Sequence, residues 1–206
     1  MSYISFENAA ADIIKAGNRL DKMNLAPATS GNYSMRTGTD EMAITVSGAH
    51  KGQLRPDQIM RADLGGRSLD GKKPSAETLL HCVLYQLYPD VRAVLHTHSV
   101  ASTVLTRLMA EGDHLTLDRY EMLKAYRGIE THDVSVDLPI FDNTQDMDDL
   151  SARVLKYLEG ARATPAYLIR GHGIYGWGRD MAEAERVIEA TEMMLSCEMH
   201  MKQIKA

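Results

Sequence analysis

The sequence is poor in cysteine and tryptophan and has no long apolar run. Its 206 residues include two cysteines and one tryptophan. Cys82 and Cys197 lack the spacing of metal ligands and lie among apolar residues, so we interpret both as small buried side chains in a reducing compartment. No apolar stretch approaches the roughly 20 residues that a membrane-spanning helix needs. The first residues lack the basic start and apolar centre of a secretory signal. We therefore expect no membrane partner and a cytoplasmic location.

Positive charge is scarce as well. Lysine and arginine number 23 against 28 acidic residues, which gives a formal net charge of −5. Proteins that follow a polyanionic backbone usually carry a basic cluster, and none is visible, so nucleic acid is not an expected partner. A glycine-rich dinucleotide fingerprint and internal repeats are also missing. Hydrophobic residues at 44% and charged residues at 25% are typical of one globular domain, which we expect to span residues 1–206.

Hydrophobic periodicity predicts helices that alternate irregularly with short strands. The predicted helices cover 7–23, 76–88, 100–109, 146–158 and 180–202. The predicted strands cover 32–36, 41–46, 91–95, 134–140, 166–169 and 174–177. Because two of the strand pairs read as hairpins, the order favours a single α/β domain with a mixed or mainly antiparallel sheet over a doubly wound one.

Histidines mark two places where a predicted strand ends. His96 and His98 close one strand, and because residues two apart point to the same side, both imidazoles can face one ion. An isolated pair of this kind is more often structural. His172, however, follows a second strand between Gly171 and Gly173, which let the backbone bend and approach closely. Three histidines leave one coordination position open, as in catalytic zinc sites. The spacing predicts such a site but is also compatible with iron, cobalt or manganese.

Three segments in the first 80 residues combine glycine or a helix start with hydroxyl or amide groups. They cover residues 29–32, 46–52 and 73–77, and each could offer N–H and hydroxyl donors to an anion. Each alone is commonly a plain turn, and Ser75 could simply cap a helix. Together with a metal site, they predict a phosphorylated ligand. Glu77 and Glu121 are the candidate acid/base residues, and spacing alone does not choose between them.

These motifs together resemble the class II aldolase/adducin family over essentially the whole chain. The matching segments are Ser-Gly-Asn at 30–32, Ser-Gly at 47–48, Pro-Ser-Ala-Glu at 74–77, His-Thr-His at 96–98 and Gly-His-Gly at 171–173. The resemblance implies a three-layer α/β/α sandwich with a central, mainly antiparallel sheet, and a homotetramer with active sites at subunit interfaces. It also implies one Zn²⁺ per subunit on His96, His98 and His172. Matching family positions assign the substrate phosphate to Asn32, Ser47, Gly48 and Ser75.

The segment at 120–125, Tyr-Glu-Met-Leu-Lys-Ala, resembles the dehydratase branch of that family, with Tyr120 in place of the usual glutamine. This implies a hydro-lyase acting on a small phosphorylated ketose, with Glu121 as acid/base and Glu77 as a second acid or orienting group. The alternative is a sugar-phosphate aldolase or epimerase that uses the same metal site with Glu77 as acid/base. A non-catalytic, adducin-like scaffold or a metal-storage module is a third class, and the intact histidines beside an open position and two acids argue against it.

Overall fold

The computed structural model describes residues 3–109, 111–160 and 164–205, which form eight strands. These are β1 (Asn32–Arg36), β2 (Glu41–Thr45), β3 (Ile59–Asp63), β4 (Ala93–Thr97), β5 (His114–Asp118), β6 (Ser135–Phe141), β7 (Ala166–Ile169) and β8 (Gly173–Gly178). They lie in one sheet in the order β3-β2-β1-β4-β8-β7-β6-β5. Neighbours are antiparallel except β6 and β7, which are parallel. The predicted, mainly antiparallel sheet is confirmed.

Helices cover both faces of this sheet. They are α1 (Phe6–Lys22), α2 (Thr78–Leu87), α3 (Val100–Leu108), α4 (Met147–Gly160) and α5 (Met181–Lys205), with short 3-10 helices at Lys51–Gln53, Pro56–Gln58 and Glu121–Ala125. Because side chains alternate along a strand, Leu95 belongs to the hydrophobic cluster that includes α1, α3 and α5, whereas Val94 belongs to the cluster that includes α2 and α4. The resulting three layers confirm the α/β/α sandwich. Within the described residues, no helix is long and apolar enough to cross a membrane.

Strands β3 and β5 were not expected from the sequence. Strand β5 alternates buried leucines, Leu115 and Leu117, with exposed polar residues, but it is only five residues long and begins with His114. Such a short alternation is a weak signal for a strand when turn-forming residues lie next to it. Strand β4 also extends two residues beyond its predicted end, so that His96 lies within the strand and is completely buried.

Strand direction decides which motifs share an end of the sheet. Strand β4 ends where β8 begins, because Thr97 pairs with Ile174. Strands β6 and β7 end on the same side. Strand β5 runs the other way, and its last residue, Asp118, pairs with Ser135 at the start of β6. We call the side where β4, β6 and β7 end the histidine end of the sheet, since His98 and His172 lie there. Strand β5 ends at the opposite end of the sheet.

Candidate active site

Three imidazoles converge at the histidine end of the sheet. The ligand nitrogens of His96, His98 and His172 all lie within 4.8 Å of one another. His96 Nδ1 donates a hydrogen bond to the Ile174 carbonyl at 3.0 Å, which leaves its Nε2 unprotonated and facing the cluster. His98 Nε2 is 2.9 Å from that atom. Two ring nitrogens this close repel unless a proton or a cation lies between them, so the donor set fits a divalent metal ion.

Burial prepares these rings to act as neutral ligands. Desolvation lowers the pKa of His96 well below its ordinary value and lowers the pKa of His98 to about 4. Both imidazoles are therefore neutral at physiological pH, and a neutral imidazole has the lone pair that a metal requires. His172 is partly exposed, and its buried Nδ1 has no hydrogen-bond partner among the described residues.

The turn that carries His172 is fixed by α3. Arg170 lies at the start of this turn, and its guanidinium donates to the carbonyls of Thr106 at 2.9 Å and Gly112 at 2.7 Å. The Gly171 amide donates to Thr106 Oγ1 at 2.9 Å. These bonds satisfy the Thr106 carbonyl in the last turn of α3 and the Gly112 carbonyl beyond it, and they hold the turn against the helix. The third histidine is thus positioned by side-chain to backbone hydrogen bonds that its sequence motif alone does not reveal.

Gly173 lets β8 approach β4 directly behind the histidines. A side-chain Cβ at this position would overlap the Thr97 carbonyl oxygen and lie 3.0 Å from His96 Cε1.

We expect Gly173→Ala to lower the free energy of unfolding by about 1–3 kcal/mol and to weaken metal binding, because the backbone must move to admit the methyl group. Urea unfolding and metal titration measure both effects. Gly160→Ala is the control, since a Cβ there meets nothing within 4 Å; equal effects of the two substitutions would contradict this interpretation.

Glu77 is the carboxylate beside the histidines. Its Oε1 lies 3.0 Å from His172 Nε2, and its Oε2 lies 3.6 Å from His96 Nε2. Asn32 Nδ2 donates to Oε2 at 2.7 Å. Burial alone would raise the pKa of Glu77, but the hydrogen bonds from His172 and from the Asn32 amide lower it. Glu77 is therefore ionised and held in a fixed orientation toward the cluster.

A buried chain of hydrogen bonds orients Asn32 from behind. Because Asn32 Nδ2 donates to Glu77, its Oδ1 must face His81 Nε2, which donates to it. The other ring nitrogen, Nδ1, then accepts from Ser34 Oγ at 2.7 Å, and Ser34 accepts from the Tyr85 hydroxyl at 2.8 Å. Burial lowers the pKa of His81 to about 3, so the ring stays neutral. The sequence indicates only a structural role for His81. In the structure His81 belongs to this series of hydrogen bonds and holds the Asn32 side chain in place beside Glu77.

We expect His81→Leu to lower the free energy of unfolding by about 2 kcal/mol, because it leaves the Asn32 carbonyl buried without a donor. The hydroxyl-deleting change Tyr85→Phe, at the far end of the same chain, is the matched control and should cost about 1 kcal/mol. Urea denaturation measures both values. A smaller loss for His81→Leu than for Tyr85→Phe would show that Asn32 does not depend on the ring.

The three predicted anion-binding segments meet beside these groups, and hydrogen bonds join each pair. Lys51 Nζ donates to the Thr29 carbonyl at 2.9 Å, which joins the first segment to the second. The Ser47 amide donates to the Lys73 carbonyl at 3.2 Å, which joins the second segment to the third. Asn32 Nδ2 lies 3.4 Å from Ser75 Oγ, which joins the first to the third. Ser47 and Gly48 are exposed, and Ser75 is half-buried.

Glu121 lies elsewhere on the chain. It follows β5 at the end opposite the histidines, and β5 is four strands from β4, or roughly 19 Å at the usual strand spacing. Its side chain is 70% exposed, with Lys124 Nζ at 2.5 Å and His132 Nδ1 at 3.6 Å. The Lys124 ammonium lowers the pKa of Glu121. The Tyr120 hydroxyl donates to Glu198 on α5 at 2.8 Å and so fixes the adjoining segment. One chain therefore does not bring Glu121 to the histidines.

Comparison with known proteins agrees with this architecture. The sequence profile described as Class II Aldolase and Adducin N-terminal domain matches residues 11–199. The chain therefore belongs to the class II aldolase and adducin family, which confirms the resemblance drawn from the motifs. An L-fuculose 1-phosphate aldolase superposes with a TM-score of 0.80 at 24% identity, covering 99% of this chain and 90% of that one. A putative aldolase/epimerase/decarboxylase from Klebsiella pneumoniae also gives 0.80, at 25% identity, over 94% of this chain and 89% of its own.

Curated sequence relatives are considerably closer. A methylthioribulose-1-phosphate dehydratase from Methylococcus capsulatus is 49% identical over 200 residues, which are 97% of each chain. A protein of the same name from Pseudomonas syringae pathovar tomato is 51% identical over 202 residues, 98% of each chain. Identity near one half along the full length is much higher than the identity to either of the two solved structures.

Proposed function

We propose that this chain is a methylthioribulose-1-phosphate dehydratase. It would convert 5-methylthioribulose 1-phosphate to 2,3-diketo-5-methylthiopentyl 1-phosphate and water, a step of methionine salvage. The observation that carries the proposal is the near-half identity, over 97–98% of the chain, to relatives of that name. The histidine cluster and the neighbouring anion-binding segments support it, because a phosphorylated ketose needs a group that stabilises an enolate and another that holds phosphate.

His96, His98 and His172 would hold the divalent ion, which we propose to be zinc at one ion per subunit. When bound, such an ion supplies Lewis-acid stabilisation of negative charge on an oxygen. Ionised Glu77 lies beside the same point and would orient a substrate hydroxyl, since its carboxylate is already fixed by Asn32. Asn32, Ser47, Gly48 and Ser75 would hold the phosphate through amide, hydroxyl and backbone N–H donors. The substrate would thus be held at both ends before any proton moves.

Glu121 is the proposed acid/base. Its carboxylate would take the proton from C3, and the acid so formed would give a proton to the departing C4 hydroxyl, which leaves as water. The resulting enol would tautomerise to the diketone. Because Glu121 lies at the opposite end of the sheet, it would have to act in the site of a second copy of the chain. Burial there would also raise its pKa from the lowered value that Lys124 imposes, which suits a group that exchanges protons. We accordingly propose a homotetramer with interfacial sites.

Glu77 supports an alternative function. It is the acid closest to the histidines within one chain, and it could serve as acid/base for a sugar-phosphate aldolase or epimerase. That enzyme would need no second copy for its chemistry.

The deciding experiment supplies 5-methylthioribulose 1-phosphate to the metal-loaded protein and identifies products by NMR and mass spectrometry. Dehydration gives a diketone that is lighter by one water and retains every carbon. A retro-aldol reaction would instead release dihydroxyacetone phosphate or an aldehyde, and an epimerase would leave the mass unchanged. Either of these outcomes would replace the proposed function with its alternative. Chelator-treated protein is the control for metal dependence.

A further inference from the structure

Lys51 is a buried lysine at the junction of two of the anion-binding segments. Its side chain is 1% exposed, and Nζ donates to the Ala49 carbonyl at 2.6 Å and to the Thr29 carbonyl at 2.9 Å. One acceptor belongs to the segment that contains Ser47 and Gly48, and the other to the segment that leads to Asn32. The ammonium therefore fixes the spacing between two groups of predicted phosphate ligands.

This cation has no carboxylate partner in the part of the chain that the structure describes; both of its acceptors are neutral carbonyls. Burial lowers the pKa of Lys51 to about 8, while the charge of nearby Glu77 opposes that shift. The ammonium is still the main form at neutral pH. Burying an unpaired charge is costly, and a neutral donor could have joined two carbonyls at lower cost.

The space in front of these segments has the character of an anion site. A Cβ added at Gly48 would meet no atom within 4 Å, so the loop faces open space. Ser47 is exposed beside it. In the first segment, Ser30 Oγ is buried without a hydrogen-bond partner among the described residues, so a donor is still available.

We propose that Lys51 is a positioning residue for the substrate phosphate, and that its positive charge is the property that matters. By drawing the Thr29 and Ala49 carbonyls toward itself, the ammonium turns acceptors away from the anion, so that N–H and hydroxyl groups face it. Its charge also compensates the phosphate dianion at short range in a site of low dielectric constant. The inference deepens the proposed function, since it rests on a phosphorylated substrate.

The test separates charge from hydrogen bonding. Lys51→Met removes both and keeps the apolar volume, whereas Lys51→Gln keeps an N–H₂ donor without charge. Isothermal titration calorimetry with inorganic phosphate, on metal-loaded and on metal-stripped protein, measures the loop site apart from binding to the ion. We expect both variants to bind phosphate about 10- to 100-fold more weakly and to raise KM similarly, with kcat changed less than about threefold. Lys22→Met, at an exposed lysine of α1, controls for net charge and should change neither value.

Three outcomes overturn the proposal. The first is wild-type affinity for phosphate in Lys51→Gln, which would make Lys51 a structural hydrogen-bond donor only. The others are a fall in kcat with KM unchanged, and a lack of phosphate binding by the wild-type protein. Metal content and urea unfolding of each variant establish that the site is intact. Phosphate binding is measured without turnover. If the protein proves not to be a dehydratase but Lys51 variants lose phosphate affinity, the proposed function fails and the role of Lys51 stands.

Discussion

Replacing His96 with alanine should remove the bound metal and lower activity by at least about 10³-fold. His96 is fully buried and its tautomer is fixed by the Ile174 carbonyl. Its Nε2 lies 2.9 Å from His98 Nε2 and 3.6 Å from Glu77 Oε2. Two remaining imidazoles cannot hold a catalytic ion with the affinity of three. Loss of the ring also leaves the Ile174 carbonyl without its donor, so we expect a stability loss of about 2 kcal/mol. Metal analysis of purified protein and the product assay measure the two main effects.

His200→Ala is the matched control, because His200 is exposed on α5 and its imidazole Nδ1 lies 3.2 Å from Gln203 Oε1, far from the three clustered histidines in the sequence. It should retain full metal content and activity. Active His96→Ala protein that contains no divalent ion would refute the metal centre as the site of the reaction. His96→Ala protein with normal metal content would instead place the ion on other ligands.

The site could be predicted from the sequence to the extent that its residues form local motifs. His96 and His98 are two apart, and His172 lies between two glycines, so strand geometry alone suggested their convergence. The anion-binding segments were recognisable from glycine and hydroxyl residues for the same reason. Each of these motifs lies within a few consecutive residues. The motifs meet in the structure because the ends of neighbouring strands lie side by side in the sheet.

Other features depend on partners that are distant in the sequence. His81 contacts Asn32 across 49 residues, and Lys51 reaches Thr29 across 22. Neither has a spacing that distinguishes it from an ordinary core residue or a surface lysine. The short strands β3 and β5 were not predicted, because pairing in the sheet, rather than a strong local alternation, stabilises them. The location of Glu121 follows from the direction of β5, so the sequence pattern could not show that this residue lies far from the histidines.

The isosteric change Glu121→Gln should lower dehydration by about 10²- to 10⁴-fold, because an amide cannot accept the C3 proton. Fold and metal content should be unchanged, since the side chain is exposed and its contacts are Lys124 and His132. Steady-state kinetics and metal analysis check this. Glu159→Gln, the same change at an exposed glutamate of α4, should remain fully active. Full activity of Glu121→Gln would assign the proton transfer to another residue, with Glu77 the first to be tested.

The position of Glu121 adds a stronger form of this experiment. Since the histidines and Glu121 occupy opposite ends of one sheet, an active site that uses both must draw them from two chains. His96→Ala and Glu121→Gln should each be nearly inactive alone. When the two variants are unfolded and refolded together in equal amounts, random assembly pairs an intact histidine cluster with an intact Glu121 in about a quarter of the sites. Activity should therefore recover to about a quarter of the wild-type value on mixing. No recovery, in mixed oligomers verified by mass spectrometry, would contradict a site shared between two chains. Because one chain holds the two groups at opposite ends of its sheet, that result would exclude Glu121 as the base.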